Sequence, residues 1–350
     1  MGRWGRRSIG IPQELSSPRQ RIAGTQGASA PAVTVVEISD PTAAEEGIEV
    51  LSQDLLKLEK KPLRARRVIV RLEGGLVVLH STNLRVRTRT TAHSQLLAYV
   101  VLGPQARGTV NGLPMRPDLM LAVEPGLQVE FVVEAGYRSV TALVGEAVLE
   151  SHWIGRQREG HFRVPRGVEV LNVDAIRARG LFEWGERLAN TATRQPTLFD
   201  GQQETLAAAQ VELLEMLLAA LDTTTVSQHT RSDETRQGHS RVVRLAEEYA
   251  LAHAGDQLHV TDLCVATGLS ERTLQYAFQE VMGMSPVAYL TRLRLHRVRQ
   301  ALRAANQGST TVSVEALNWG FWHFGDFSRA YRDCFGELPS ETLRRPADGT

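Results

Sequence analysis

One small unit occurs twice in the last hundred or so residues of this 350-residue chain, and that repetition restricts the fold more than any other feature. The run Leu263-Cys264-Val265-Ala266-Thr267-Gly268-Leu269-Ser270 leads into Leu274, Ala277, Phe278, Gly283 and Pro286. The same spacing returns 53 positions later at Phe327, Ala330, Tyr331, Gly336 and Pro339. Upstream, Cys264 corresponds to Ala316 and Gly268 to Gly320 at an offset of 52, so the second turn is one residue longer. Two copies of one supersecondary element follow from such repetition, and the element reads as a helix-turn-helix.

The physics of each position supports that reading. Two helices that cross closely need a small residue at the contact, and Cys264 and Ala316 supply it. Gly268 and Gly320 suit a turn with positive φ, which a Cβ disfavours. Ser270 stands at an N-cap position, which predicts a helix starting near Glu271. Leu274, Ala277, Phe278 and Val281 then recur at i, i+3, i+4 and i+7 and form its buried stripe. Arg272, Thr273, Gln275, Tyr276 and Gln279 fall off the stripe. Arginine and glutamine carry the groups that read guanine and adenine edges in the major groove. In the second unit Phe327, Ala330, Tyr331 and Cys334 make the stripe; Asp326, Ser328, Arg329, Arg332 and Asp333 lie outside it, with Arg329 the best base reader. Residues 285–303 between the units read as a spacer helix with Pro286 in its first turn. Its length of about 28 Å at 1.5 Å per residue falls short of one turn of duplex, about 34 Å, so bent DNA is expected.

The stretch Gly268-Leu269-Ser270 with Leu274 and Phe278, Gly283-Met284-Ser285-Pro286 with Tyr289-Leu290 and Arg294-Leu295, then Gly320-Phe321, Phe327-Ser328-Arg329-Ala330-Tyr331 and Phe335-Gly336-Glu337-Leu338-Pro339-Ser340, resembles the AraC/XylS family of bacterial transcription regulators. The resemblance covers roughly residues 240–345. It implies that the first recognition helix presents Arg272, Gln275 and Tyr276 to bases, and the second Gly325, Asp326 and Arg329. Ser270, Thr273 and, on the spacer, Arg294 complete the expected DNA-contacting set. Gly325 and Asp326 are weak readers unless the acid accepts from cytosine N4 or pairs with Arg329, so the second unit is expected to discriminate less. The resemblance also implies an N-terminal sensing and dimerising domain.

Length and a hydrophobic content of 42% fit two domains with buried cores. The net charge is only +1, so total charge does not speak for nucleic acid. The distribution is more informative, since Arg292, Arg294, Arg297, Arg299 and Arg303 lie on the spacer with no acid among them. They are positioned to neutralise phosphates or to pair with acids on neighbouring helices. The two cysteines sit at apolar positions of the repeats and read as small core residues in a reducing cytoplasm. No membrane span or export signal is expected. Residues 1–32 read as a disordered arm.

Residues 33–145 favour strands: 68–70, 76–79, 84–91, 96–102 and 129–133, with Asn111-Gly112 as a hairpin turn. Strands at this spacing predict a mostly-β domain, a sandwich or small barrel, and the family resemblance implies that it is a cupin-like sensing barrel. Leu84, Val86, Thr88 and Thr90 alternate with Arg85, Arg87 and Arg89; the arginine face is either solvated or lines a pocket for an anionic effector. Helices are expected at 172–189 and 203–222. In the second of these Leu206, Leu213, Leu214, Leu217 and Leu221 form a nearly heptad stripe, which is a dimer seam or packs back onto the barrel. Polar residues 223–240 read as a linker before a DNA-binding domain at 241–345.

The expectation is a multidomain chain: a mostly-β sensing domain with trailing helices at 33–222 and an all-α domain of two helix-turn-helix units. Its function is that of a cytoplasmic, nucleoid-associated, effector-responsive dimeric activator with no catalytic step, metal or cofactor. The expected partners are double-stranded promoter DNA, RNA polymerase, a small-molecule effector and a second copy, with no membrane. The alternative is a cupin-type metal enzyme fused to a DNA-binding module, but His80, His93, His152 and His161 lack ligand spacing, and Glu150 with His152 reads as a surface pair. A repair protein would need an exposed reactive cysteine, which neither Cys264 nor Cys334 supplies by position. A chromosome organiser without effector control would bend DNA with little sequence preference.

Overall fold

The computed structural model describes residues 31–345 apart from 46–47, 94, 158–161, 223, 227–229, 257 and 307. The expected arm, except Pro31 and Ala32, and His161 therefore lie outside the described residues.

In chain order the strands are β1 (Val33–Ile38), β2 (Leu51–Lys57), β3 (Ala65–Leu72), β4 (Gly75–Thr82), β5 (Val86–Ala92), β6 (Leu96–Leu102), β7 (Gly108–Val110), β8 (Leu113–Pro114), β9 (Leu119–Val123), β10 (Gln128–Val133), β11 (Arg138–Gly145), β12 (Val168–Asn172) and β13 (Thr225–Val226). They form a larger antiparallel sheet, β1-β3-β4-β11-β6-β9-β12-β13, and a smaller one, β2-β5-β10-β7-β8. Asn111 and Gly112 have φ of 45° and 81° and turn β7 into β8 as expected.

The larger sheet is buried on both faces, which is why its strands read as continuous apolar runs such as Leu-Met-Leu-Ala-Val at β9. One face, with Ile69, Val78, Val100 and Leu143, meets the inner face of the smaller sheet at Leu55, Val86, Val129 and Val133. The other, with Val70, Val77, Tyr99 and Val140, is covered by α2 (Ala175–Arg194) and α3 (Gln203–Leu221), which follow α1 (Glu146–Gly155). Leu213, Leu214 and Leu217 of the leucine stripe are buried in this layer, so the stripe packs back onto the sheet. The helix expected from 172 starts at Ala175 instead. Asn172 still pairs with Leu119 in β12, and the Asp174 carboxylate accepts from the amides of Ile176 and Arg177 as N-cap.

The C-terminal helices are α4 (Arg231–Ala252), α5 (Val260–Thr267), α6 (Glu271–Met282), α7 (Pro286–Ala304), α8 (Val312–Asn318), α9 (Phe324–Phe335) and α10 (Pro339–Arg344). Helix α4 begins inside the stretch expected as linker, because Thr230 and Asp233 form a reciprocal capping box that starts the helix at Arg231 despite its polar composition. One core joins α4, α5, α6 and the first half of α7; a second joins the rest of α7 with α8 and α9.

Candidate nucleic-acid interface

Each repeat folds as the spacing predicts. Gly268 closes α5 at φ 69° and ψ 21°, and the Ser270 hydroxyl accepts from the Thr273 amide to cap α6. Leu274, Ala277, Phe278 and Val281 are buried, while Arg272, Thr273, Gln275 and Tyr276 are exposed on the opposite side. In the second unit Gly320 has φ 74°, Phe327, Tyr331 and Cys334 are buried, and Gly325, Asp326 and Arg329 are exposed. Both candidate recognition helices thus bury an apolar stripe and present a polar edge.

The polar edges differ. Arg272 is exposed without a described partner, and the Gln275 amide donates to Glu271 at 2.9 Å. Tyr276 stacks edge-on against His239 at 5.4 Å. Arg329 pairs with Asp326 at 3.3 Å, both exposed, so this arginine carries a local counter-charge that Arg272 lacks. Two exposed aromatics that the sequence reading passed over, Trp322 and Phe324, stand at the start of α9. The buried stripe begins only at Phe327, which was the available signal for them.

Arg294 lies between the units. Its Nη1 is 3.2 Å from where a Gly320 Cβ would stand, its Nε and Nη2 are buried without a hydrogen-bond partner, and burial pulls its pKa down. Of the other spacer arginines, Arg299 is buried against Asp40 at 2.6 Å and Glu337 at 2.7 Å, Arg303 meets Asp40 at 2.5 Å, and Arg297 approaches Asp54 at 3.5 Å. These three are committed to acids, and Arg292 donates to the Lys57 carbonyl at 3.3 Å. Burial works against the Asp40 charge, yet Arg299 holds its carboxyl well below the usual carboxylate range.

The arginine face of β5 is neither solvated nor, at Arg85 and Arg87, the lining of an open pocket; the helical domain covers it. Arg85 donates to the Val281 carbonyl at 3.2 Å and pairs with Glu134 at 2.9 Å. Arg87 is fully buried, pairs with Asp54 at 2.8 Å and Glu247 at 2.6 Å, and donates to the Tyr289 hydroxyl. Burial disfavours its charge, but Tyr289, Glu247 and Asp54 hold its pKa well above that of free arginine. Arg89 bridges Glu130 and Glu247, each at 2.9 Å. Leu56 and Val132 flank Arg87 in register and join the core of α4, α6 and α7. Lys57 donates to the Cys334 carbonyl at 2.8 Å, so the second unit is also held. Glu247 escaped notice although it occupies a position of the α4 stripe with Val243, Ala246 and Ala250, where an acid needs a buried partner.

The inward residues of the same strands, Gln53, Thr90, Val129 and Phe131, line a cavity of about 70 Å³ between the sheets, with His80 and Thr141 opposite. Burial, reinforced by Arg67, keeps His80 neutral, its pKa well below the usual value. His152 meets Glu215 of α3 at 2.8 Å. Among the described residues no cluster of three metal-binding side chains occurs. Both cysteines are free; Cys334 is buried, which pushes its thiol pKa up, and Cys264 is partly buried.

Sequence comparison agrees with the geometry. A family profile described as a helix-turn-helix domain matches residues 263–345. The chain is 40% identical over 103 residues to a probable thc operon regulatory protein of Rhodococcus erythropolis, covering 29% of this chain and 31% of that one. It is 34% identical over 134 residues to the XylDLEGF operon transcriptional activator 3 of Pseudomonas putida, covering 38% of each. It therefore spans about a third of the length of these curated relatives. A solved structure of a probable AraC family transcriptional regulator from Rhodopseudomonas palustris CGA009 is 42% identical, covering 30% of this chain and 99% of that one, with a TM-score of 0.27. Through its C-terminal domain, at that identity and across nearly the whole of that regulator, the chain belongs to the AraC/XylS family.

Proposed function

We propose that the protein is a sequence-specific DNA-binding transcription regulator, an effector-responsive dimeric activator without a catalytic step, acting in the cytoplasm at the nucleoid. The observation that carries this reading is the pairing of α6 and α9: each follows a left-handed glycine turn and buries one stripe while its polar edge stays open. Arg272, Gln275 and Tyr276 read bases from α6 and Arg329 from α9, with Ser270 and Thr273 at the backbone. Gly325 lets α9 approach closely, and Asp326 weakens its reading. Arg294 props the second turn. The spacer is 19 residues, about 28 Å, which favours a bent duplex.

Residues 33–222 form the sensing and dimerising domain, and the helices of residues 231–345 the DNA-binding domain, since α4 belongs to its core. The inter-sheet cavity holds a small-molecule effector. Strands β2, β5 and β10 face that cavity with one set of side chains and the helical domain with the alternate set, so an effector that shifts this wall acts on both helix-turn-helix units. The names of the relatives support activation, which implies contact with RNA polymerase at promoter DNA. Selection from random duplexes by the full-length protein tests the central reading: one enriched motif with two half-elements is expected, and equal retention of selected and scrambled duplexes would sink it.

A further inference from the structure

The cleft where α4 lies against the smaller sheet has a surplus of guanidinium groups. It measures about 220 Å³, and its wall combines Arg89, Asn111 and Glu130 of the sheet domain with Gln237, Arg241 and Arg244 of α4. Glu130 is the sole acid in that wall and is already engaged, accepting from Arg89 at 2.9 Å and from the Ser240 hydroxyl at 3.3 Å. Arg241 has no hydrogen bond or ion pair with a described residue, and Arg244 reaches only Glu248 at 3.8 Å. Arg89 is itself shared between Glu130 and Glu247, so the cationic surplus of the wall is carried by Arg241 and Arg244. The Asn111 carbonyl oxygen accepts from the Glu130 amide at 2.9 Å, which leaves its amide nitrogen as a donor.

We propose that this cleft binds a small multivalent anion of carboxylate or phosphate type, held by Arg241 and Arg244 of α4 on one side and by the Asn111 amide of the sheet domain on the other. Guanidinium forks match both oxyanions, and a concave wall of one sign concentrates them. Each domain contributes half of the wall, so the site is complete only while α4 sits on the sheet. The anion therefore favours the docked arrangement by its differential affinity for it. This site is separate from the inter-sheet cavity, lying on the opposite face of the same strands. It rests on the docking of α4 and not on DNA recognition, so either reading can fail without the other.

Calorimetric titration of the full-length protein with pyrophosphate and with citrate, at ionic strength held constant with sodium chloride, tests the proposal. The comparison variants are R241A/R244A and R179A, the latter removing an exposed pair with Glu183 on α2. Both cleft arginines are exposed, so the double variant keeps the fold, which its circular dichroism and thermal midpoint verify. One saturable site is expected, at least about 10-fold weaker in the double variant and unchanged in R179A. Binding of pyrophosphate alone assigns a phosphate ligand, and of citrate alone a carboxylate. The proposal is overturned if neither probe saturates or if the double variant binds equally well. It is also overturned if the double variant loses DNA affinity and salt dependence with its anion isotherm intact, which makes the arginines backbone-phosphate contacts.

Discussion

The Arg87 guanidinium of β5 and the Glu247 carboxylate of α4 lie 2.6 Å apart, and neither side chain has any exposed surface. The Tyr289 hydroxyl of α7 donates to the other oxygen of Glu247 at 2.7 Å, so one carboxylate ties together the sheet, the first helix of the helical domain and the spacer. Removing a partner from such a group leaves a charge in a low-dielectric setting, which costs far more than the intact pair contributes.

The two partners are not equivalent. In an Arg87→Ala variant Glu247 keeps Arg89 at 2.9 Å and Tyr289, whereas Glu247→Ala removes the fully buried counter-ion of two arginines at once, leaving Arg87 only the part-exposed Asp54 and Arg89 only Glu130. Urea denaturation is expected to show a loss of about 3–5 kcal/mol for Glu247→Ala and a smaller loss for Arg87→Ala. The reverse order would mean that Asp54, not Glu247, is the principal counter-ion.

Arg272 and Arg329 should respond differently to alanine. Arg272→Ala is expected to relax preference at one base pair by about 1–3 kcal/mol in competition binding with singly substituted duplexes. Arg329→Ala should lose less, because Asp326 already holds it at 3.3 Å. Asp326→Asn should tighten binding and steepen its salt dependence, since an acid leaves the duplex-facing edge.

The two turn glycines share a left-handed backbone but not their surroundings. A Cβ at Gly268 meets nothing within 4 Å, whereas at Gly320 it stands 2.9 Å from the Ala254 carbonyl oxygen and 3.3 Å from that of Asp256. Gly268→Ala should cost about 1–2 kcal/mol from backbone strain alone, and Gly320→Ala distinctly more. Thermal midpoints of the two variants, measured side by side, check the order.

His296 is buried against Phe335, ring centroids 5.0 Å apart, and burial lowers its pKa to about 3. An unfolded chain protonates the same imidazole below about pH 6.5. Between those values the unfolded state binds the extra proton, so stability falls as pH falls, by up to about 1.4 kcal/mol per pH unit for one group. His80 and Asp40 act in the same direction, Asp40 only below the ordinary carboxylate range. His296→Phe is expected to flatten the pH dependence of the unfolding free energy from pH 6.5 to 4 by about one proton. An unaltered slope would show that His296 takes up its proton in the folded state.

Local chemistry made much of this protein legible from its residues. The duplicated glycine turn, the Ser270 cap and the stripe of α6 are determined within a dozen neighbouring positions, and the structure starts that helix at Glu271 as the cap requires. The alternation along β5 was equally readable, because strand periodicity is a property of the strand itself. What covers the outer face of β5 was not. The acids that meet Arg89 and Arg87 lie 41 and 160 positions away, and only folding brings Glu130 and Glu247 to them. Sequence periodicity fixes which side chains share a face, but the partner of a face is chosen by tertiary packing, since long-range charge pairing and burial leave no signal at any fixed spacing. The covered arginine strand, the acids that hold the spacer, and the cleft left open beside α4 are therefore consequences of the three-dimensional arrangement alone.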